Sequence, residues 1–256
     1  MRILVVNPNT TVAMTRKIAD AARQIASPGT EIMAITSPFG PASIEGYFDE
    51  ATSLNGLLQA IHRAENYDAV VIACFDDTGL DAARCLTDKP VIGIGEAAYR
   101  CAAMVSNKFS VVTTLARSVP ALEHNLARYG MAHQCVKVRS SEVAVLDLED
   151  NNPAACRKIE AEIEAAIADD KAEAIVLGCA GMADLADSLS QRYQLPVLDG
   201  LACAVALAES LVRLKLRTSR LGGYASPPAH KLQLAFGSDP VAAQGTNAAS
   251  AHSVIA

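Results

Sequence analysis

Two stretches decide the reading of this chain: Ala69-Val70-Val71-Ile72-Ala73-Cys74 and Ala174-Ile175-Val176-Leu177-Gly178-Cys179. In each, an apolar, largely β-branched run ends in a cysteine and meets small and turn-forming residues, the pattern of a buried parallel strand opening into a helix. Both thiols are therefore expected at strand C-terminal ends, beside helix N-termini, where open α/β sheets bind their ligands.

The echo extends outward. The cysteines are 179 − 74 = 105 residues apart, and the starts Pro90-Val91-Ile92 and Pro196-Val197-Leu198 are 196 − 90 = 106 apart. Ile3-Leu4-Val5-Val6-Asn7 and Ser110-Val111-Val112-Thr113-Thr114 lie about one such period apart and open the two copies. A diverged duplication whose halves face each other about a pseudo-two-fold axis brings Cys74 and Cys179 to one site from opposite sides.

Composition narrows the partners. The chain has 256 residues, 51% hydrophobic and 20% charged, enough for a substantial core. The absence of Trp and the 4% aromatic content argue against base- or sugar-stacking surfaces, and a net charge of −6 argues against nucleic acid and anionic membranes. A small molecule is the expected partner. The N-terminal apolar stretch is too short for a signal-peptide core and no run reaches membrane-spanning length, so a cytoplasmic location is expected. There the seven cysteines form no disulfide framework, and none makes the C-x-x-C pair of structural zinc.

Along the chain, strand and helix signals alternate eight times. Strands are expected over 3–7, 31–36, 69–74, from Pro90, over 109–114, near 136–138, and over 174–179 and 196–199. Pro8-Asn9-Thr10-Thr11 supplies capping side chains that also suit an anion or carbonyl clamp. Phe39, in the loop Ser37–Pro41, and Tyr47 are candidate pocket walls. Asp76 and Asp77 read as helix-start caps before a metal or phosphoryl site, and Gly93-Ile94-Gly95-Glu96-Ala97-Ala98 matches the dinucleotide G-x-G-x-x-A pattern weakly, with no acidic residue near 115 for a ribose. The five histidines lack a paired ligand, and Cys85, Cys101, Cys135, Cys156 and Cys203 read as packing residues. Eight βα units fit a (β/α)₈ barrel as well as two open sheets.

Matched cysteines suit one chemistry. With one sulfur as thiolate and the other as thiol on opposite faces of a carbon acid, one removes the proton α to a carbonyl and the other returns one to the far face, inverting the centre. The developing enolate needs donors, for which Asn9, Thr113, Thr114 and backbone N–H groups after each cysteine are candidates. No metal or organic cofactor is required.

The segments Pro8–Thr11, Ala73-Cys74-Phe75-Asp76-Asp77-Thr78-Gly79-Leu80-Asp81-Ala82-Ala83-Arg84, Gly178-Cys179-Ala180-Gly181-Met182, Leu198-Asp199-Gly200 and Gly222-Gly223-Tyr224-Ala225-Ser226-Pro227-Pro228 resemble the aspartate/glutamate/hydantoin racemase superfamily, hydantoin racemases first and allantoin racemases next. The resemblance spans residues 1 to about 228 and implies two similar flavodoxin-like open-sheet domains, an interdomain site, cofactor-independent two-cysteine racemisation and a homo-oligomer. Cys74 and Cys179 carry over as the catalytic pair; arylmalonate decarboxylase-like members are expected to keep only the second. Asn9, Thr113, Thr114, Gly178 and Gly181 carry over by motif position; Thr10, Ala180 and Phe39 complete the expected pocket. The expected division is 1–96 with about 206–228, then 97–205, with 229–256 as a disordered tail. No Arg or Lys in these motifs faces a free carboxylate, which favours a neutral hydantoin ring. Allantoin is the rival substrate, and a two-lobed small-molecule sensor is the rival of another class.

Overall fold

Eight short strands form where apolar runs meet turns, and they divide into two sheets. In the computed structural model, which describes residues 1–148 and 152–237, the first sheet holds β1 (Arg2–Asn7), β2 (Glu31–Thr36), β3 (Ala69–Ile72) and β4 (Val91–Gly93). The second holds β5 (Phe109–Thr113), β6 (Cys135–Ser140), β7 (Ala174–Leu177) and β8 (Val197–Asp199). Their orders are β2-β1-β3-β4 and β6-β5-β7-β8, and every pairing is parallel. The same order twice is two similar open sheets, not one closed barrel. Strands β3 and β7 are buried along their whole length, as parallel strands covered on both faces must be.

The helices are α1 (Val12–Ile25), α2 (Tyr47–Arg63), α3 (Leu80–Leu86), α4 (Ile94–Val105), α5 (Val119–Arg128), α6 (Pro153–Ala168), α7 (Ala186–Tyr193), α8 (Gly200–Arg213) and α9 (Ala229–Phe236). Asn152 caps α6 through its side chain, with Pro153 at the first turn. The expected boundaries 96/97 and 205/206 fall inside α4 and α8. These two helices pack on each other; α4 leaves β4 to cover β7 and β8, while α8 leaves β8 to cover β3 and β4. One apolar core consequently runs through both halves, with Tyr99 of α4 set between Phe75 of the first half and Phe109 of the second.

Three expectations need correction. The third strand of each half stops two residues before its cysteine: Ala73 and Gly178 still donate to the Val6 and Val112 carbonyls of the neighbouring strand, and the cysteines lie beyond that pairing. Cys74 does not open a helix: Phe75–Gly79 is a loop, and α3 begins at Leu80; Cys179 does lead a 3₁₀ turn, Ala180–Leu185. Residues 229–236, expected in the disordered tail, form helix α9, whose Phe236 stacks on His62 at 4.7 Å; residues 238–256 lie outside the described residues. Among the described residues no helix is long and apolar enough to cross a membrane.

Candidate active site

A small, partly open cavity lies between the C-terminal ends of the two sheets. Each half supplies the same three pieces. The ends of β1 and β5 bring Asn7, Pro8 and Asn9 facing Thr113 and Thr114; the turns after β3 and β7 bring Ala73–Asp76 facing Gly178–Gly181. The loops after β2 and β6 bring Ile44 and Val145, tied together because Glu45 Oε1 accepts the Val145 N–H at 3.0 Å.

The two thiols sit in corresponding surroundings. Cys74 Sγ accepts the backbone N–H of Asp76 and Cys179 Sγ that of Gly181, in each case two residues onward. Thr78 Oγ1 adds a donor to Cys74 at 3.5 Å. These bonds favour thiolate, but burial outweighs them. Both cysteines are partly buried as residues and line the cavity. They lie deep enough that burial, helped by the Asp76 charge, raises Cys74 well above the ordinary thiol range and pushes Cys179 up to about 11. The expected helix-terminus activation is therefore replaced by a pair of single peptide N–H groups working against desolvation.

The remaining polar groups are mostly committed. Asn9 Oδ1 accepts from Asn7 Nδ2 at 2.8 Å and from the Thr11 N–H at 3.0 Å, which orients the amide and leaves Asn9 Nδ2 without a partner among the described residues. The Thr11 side chain does not cap α1 as expected; its hydroxyl donates to Ala42 O. Thr113 Oγ1 is spent on Gly178 O at 3.0 Å, whereas the hydroxyls of Thr114 and Ser118 make no bond to the described residues. The lining holds no Lys, Arg or His.

Asp77 resolves two sequence features at once. Its carboxylate accepts the N–H groups of Gly95 (2.9 Å) and Glu96 (2.7 Å) and the Tyr129 hydroxyl (2.8 Å), so it caps α4 from outside, not the expected α3. A Cβ on Gly93 would lie 2.0 Å from Asp77 Oδ1, and one on Gly95 2.4 Å from the Phe75 carbonyl. The glycines of the dinucleotide-like pattern thus make room for the chain's own carboxylate and the Cys74 loop. In the second half Asp199 caps α8 directly, through the Leu201 and Ala202 N–H groups.

Of the expected pocket residues, Cys74, Cys179, Asn9, Thr113, Thr114, Gly178, Ala180 and Gly181 line the cavity. Thr10 and Phe39 do not: Thr10 Oγ1 donates to Pro41 O, and Phe39 is 41% exposed on the loop packed over Gly56. Asn7, Met14, Ile44, Asp76, Ser118 and Val145 were not expected there. Asn7 was within reach of the repeat, since 113 − 7 = 106 pairs it with Thr113.

A family model described as Asp/Glu/hydantoin racemase matches residues 3–208. The chain belongs to that family. It is 45% identical over 229 residues to a hydantoin racemase of Pseudomonas sp. (strain NS671), covering 89% of this chain and 92% of that one. To a hydantoin racemase of Rhizobium meliloti it is 46% identical, covering 89% and 95%. An allantoin racemase structure from Klebsiella pneumoniae superposes with a TM-score of 0.87 at 47% identity, covering 89% and 94%. Within this racemase fold the other five cysteines stand apart from the cavity. Changing Cys85, Cys101, Cys135, Cys156 or Cys203 singly to Ala is expected to leave turnover within about tenfold, the effect of roughly 1.4 kcal/mol on a barrier. A folded Cys203→Ala enzyme slowed by several orders of magnitude overturns that assignment.

Proposed function

We propose that the protein racemises 5-monosubstituted hydantoins at C5 by proton transfer between Cys74 and Cys179. The observation that carries this reading is the pair of thiols, each two residues past the third strand of its half, lining one cavity from opposite sheets. One sulfur as thiolate removes the C5 proton and the other, as thiol, delivers one to the opposite face; reversing the protonation states runs the reaction back. Asn9 Nδ2 and the Thr114 and Ser118 hydroxyls are the groups we assign to the ring carbonyls, of which the one attached to C5 gains charge in the enolate. A cavity without a basic side chain suits a neutral ring better than a free amino acid. Allantoin, itself a 5-substituted hydantoin, is a second reading that the likeness to the allantoin racemase structure favours. The proposal carries with it a chemistry free of metal and cofactor, a cytoplasmic setting, in keeping with seven unpaired thiols, and a homo-oligomer. It also divides the chain functionally at the α4 and α8 crossings.

After exhaustive dialysis with chelator, pure enantiomers of benzyl-, isopropyl- and methylthioethyl-hydantoin, and of allantoin, are incubated separately and followed by polarimetry. Rotation is expected to decay to zero with solvent deuterium entering C5. A sensor gives no exchange; activity that returns only with added metal counts against the mechanism. Because both thiols titrate above their ordinary range, and one must be ionised, kcat/KM is expected to rise about tenfold per pH unit between about pH 6 and 8. A flat profile across that interval overturns the thiolate base.

A further inference from the structure

One residue of the cavity lining carries a polar atom that is both buried and without a partner among the described residues. Asp76 Oδ2 is buried and accepts no hydrogen bond among the described residues; the residue is only 8% exposed and lines the cavity. A buried carboxylate oxygen without a donor is costly unless a ligand supplies one. Its backbone is held on three sides. The Asp76 N–H donates to Cys74 Sγ, its carbonyl accepts Asn125 Nδ2 at 2.8 Å from α5, and its neighbour Asp77 is anchored on α4. The Asp76 backbone is thus fixed beside one thiol, and the charge of its side chain is felt by both.

No cation in the cavity lining answers this carboxylate. Glu50 adds further negative charge from α2; burial, with Glu50 and Asp77 contributing, pushes Asp76 up to about 7, so a donor is the partner this environment lacks. A hydantoin ring carries two N–H groups as well as two carbonyls. The uncommitted donors of Asn9, Thr114 and Ser118 suit the carbonyls, and the uncommitted Asp76 carboxylate suits an N–H.

We propose that Asp76 is a substrate-recognition residue whose Oδ2 accepts a ring N–H of the bound hydantoin and so fixes the rotation of the ring between the two thiols. The inference rests on the hydantoin reading given above. It distinguishes cyclic ureides, which offer ring N–H groups next to the carbonyls, from ring analogues that offer none. A charge-assisted bond of this kind is a strong one, and its loss leaves a buried charge unpaired.

The test crosses protein and substrate changes. Wild type, Asp76→Ala and Asp76→Asn are assayed on 5-benzylhydantoin and on its N1-methyl and N3-methyl derivatives. In the wild type, methylation of the bonded nitrogen is expected to lower kcat/KM by roughly 10- to 100-fold. In Asp76→Ala the parent hydantoin should fall by a similar factor, and methylation of that same nitrogen should then cost almost nothing more, the signature of a coupled pair. Asp76→Asn keeps the shape and a neutral acceptor; it should lie between the two, and runs the same cycle if the alanine variant does not fold. Equal methylation penalties in wild type and variants at both nitrogens, or an Asp76→Ala enzyme with wild-type kcat/KM, overturn the assignment. A wild type that racemises no hydantoin refutes the functional reading itself, an outcome separate from an active wild type without coupling.

Discussion

Cys74→Ser is expected to abolish racemisation in both directions while the enzyme still exchanges the C5 proton of one enantiomer with retention; Cys179→Ser should exchange only the other. A serine hydroxyl in the same buried place neither ionises nor transfers a proton at a useful rate, so each loss should exceed about 10³-fold in racemisation, within the range general acid–base groups supply. The retained exchange follows from geometry. Each sulfur is held by a peptide N–H of its own half, Asp76 for Cys74 and Gly181 for Cys179, and reaches one face of a planar intermediate. Each variant is incubated with pure D- and pure L-hydantoin in D₂O, and the C5 proton is followed by NMR after subtracting spontaneous exchange. Both variants exchanging the same enantiomer, or either racemising at the parent rate, contradicts the two-base arrangement.

Much of this arrangement is readable from residue order, because a strand at the centre of a parallel sheet must be apolar on both faces and such runs are conspicuous. Val70–Ile72 and Ile175–Leu177 announce themselves, and the 105-residue interval pairs their cysteines before any fold is known. Strand ends are less legible. Ala73 and Gly178 continue the apolar run, and nothing local says that pairing stops at Ile72 and Leu177. The roles of polar side chains depended on partners distant in sequence. Asp77 looks like a cap for the helix that follows it, yet its donors lie 18 and 19 residues on, at the start of α4. Ile44 and Val145 come from loops whose path is set by Glu45 reaching 100 residues along the chain. Phe39 had the opposite fate: as a loop aromatic it suggested a wall, but its backbone packs against Gly56 and the residue, 41% exposed, is not part of the cavity lining.

The second large effect is expected at Gly95, which touches no substrate. Gly95→Ala should lower kcat on hydantoins by about 100-fold with a smaller change in KM, because misplacing a reacting group by about 1 Å is enough for a loss of that size. The added Cβ would lie 2.4 Å from the Phe75 carbonyl and 2.9 Å from Asp77 Oδ2. The first of these is backbone, so it cannot swing aside as a flexible side chain does. Phe75 directly follows Cys74, its ring packs edge-on to Tyr99 at 5.4 Å, and the whole loop is latched by Asp77 onto the N–H groups of Gly95 and Glu96. Moving either partner moves the sulfur. Overpacking of this kind also costs about 1–3 kcal/mol of stability, read as a lower melting temperature. Gly223→Ala is the control, since a Cβ there meets nothing within 4 Å; both turnover and melting should stay at wild-type values. Cys74→Ser and Gly95→Ala then separate two ways of disabling one base. The first removes the thiol and keeps its position; the second keeps the thiol and displaces it, so exchange of the enantiomer that Cys74 deprotonates should be slowed without being lost, while the exchange that Cys179 catalyses stays near the parent rate. A folded Gly95→Ala enzyme with wild-type kcat shows that the Cys74 loop is not held by its seat on α4.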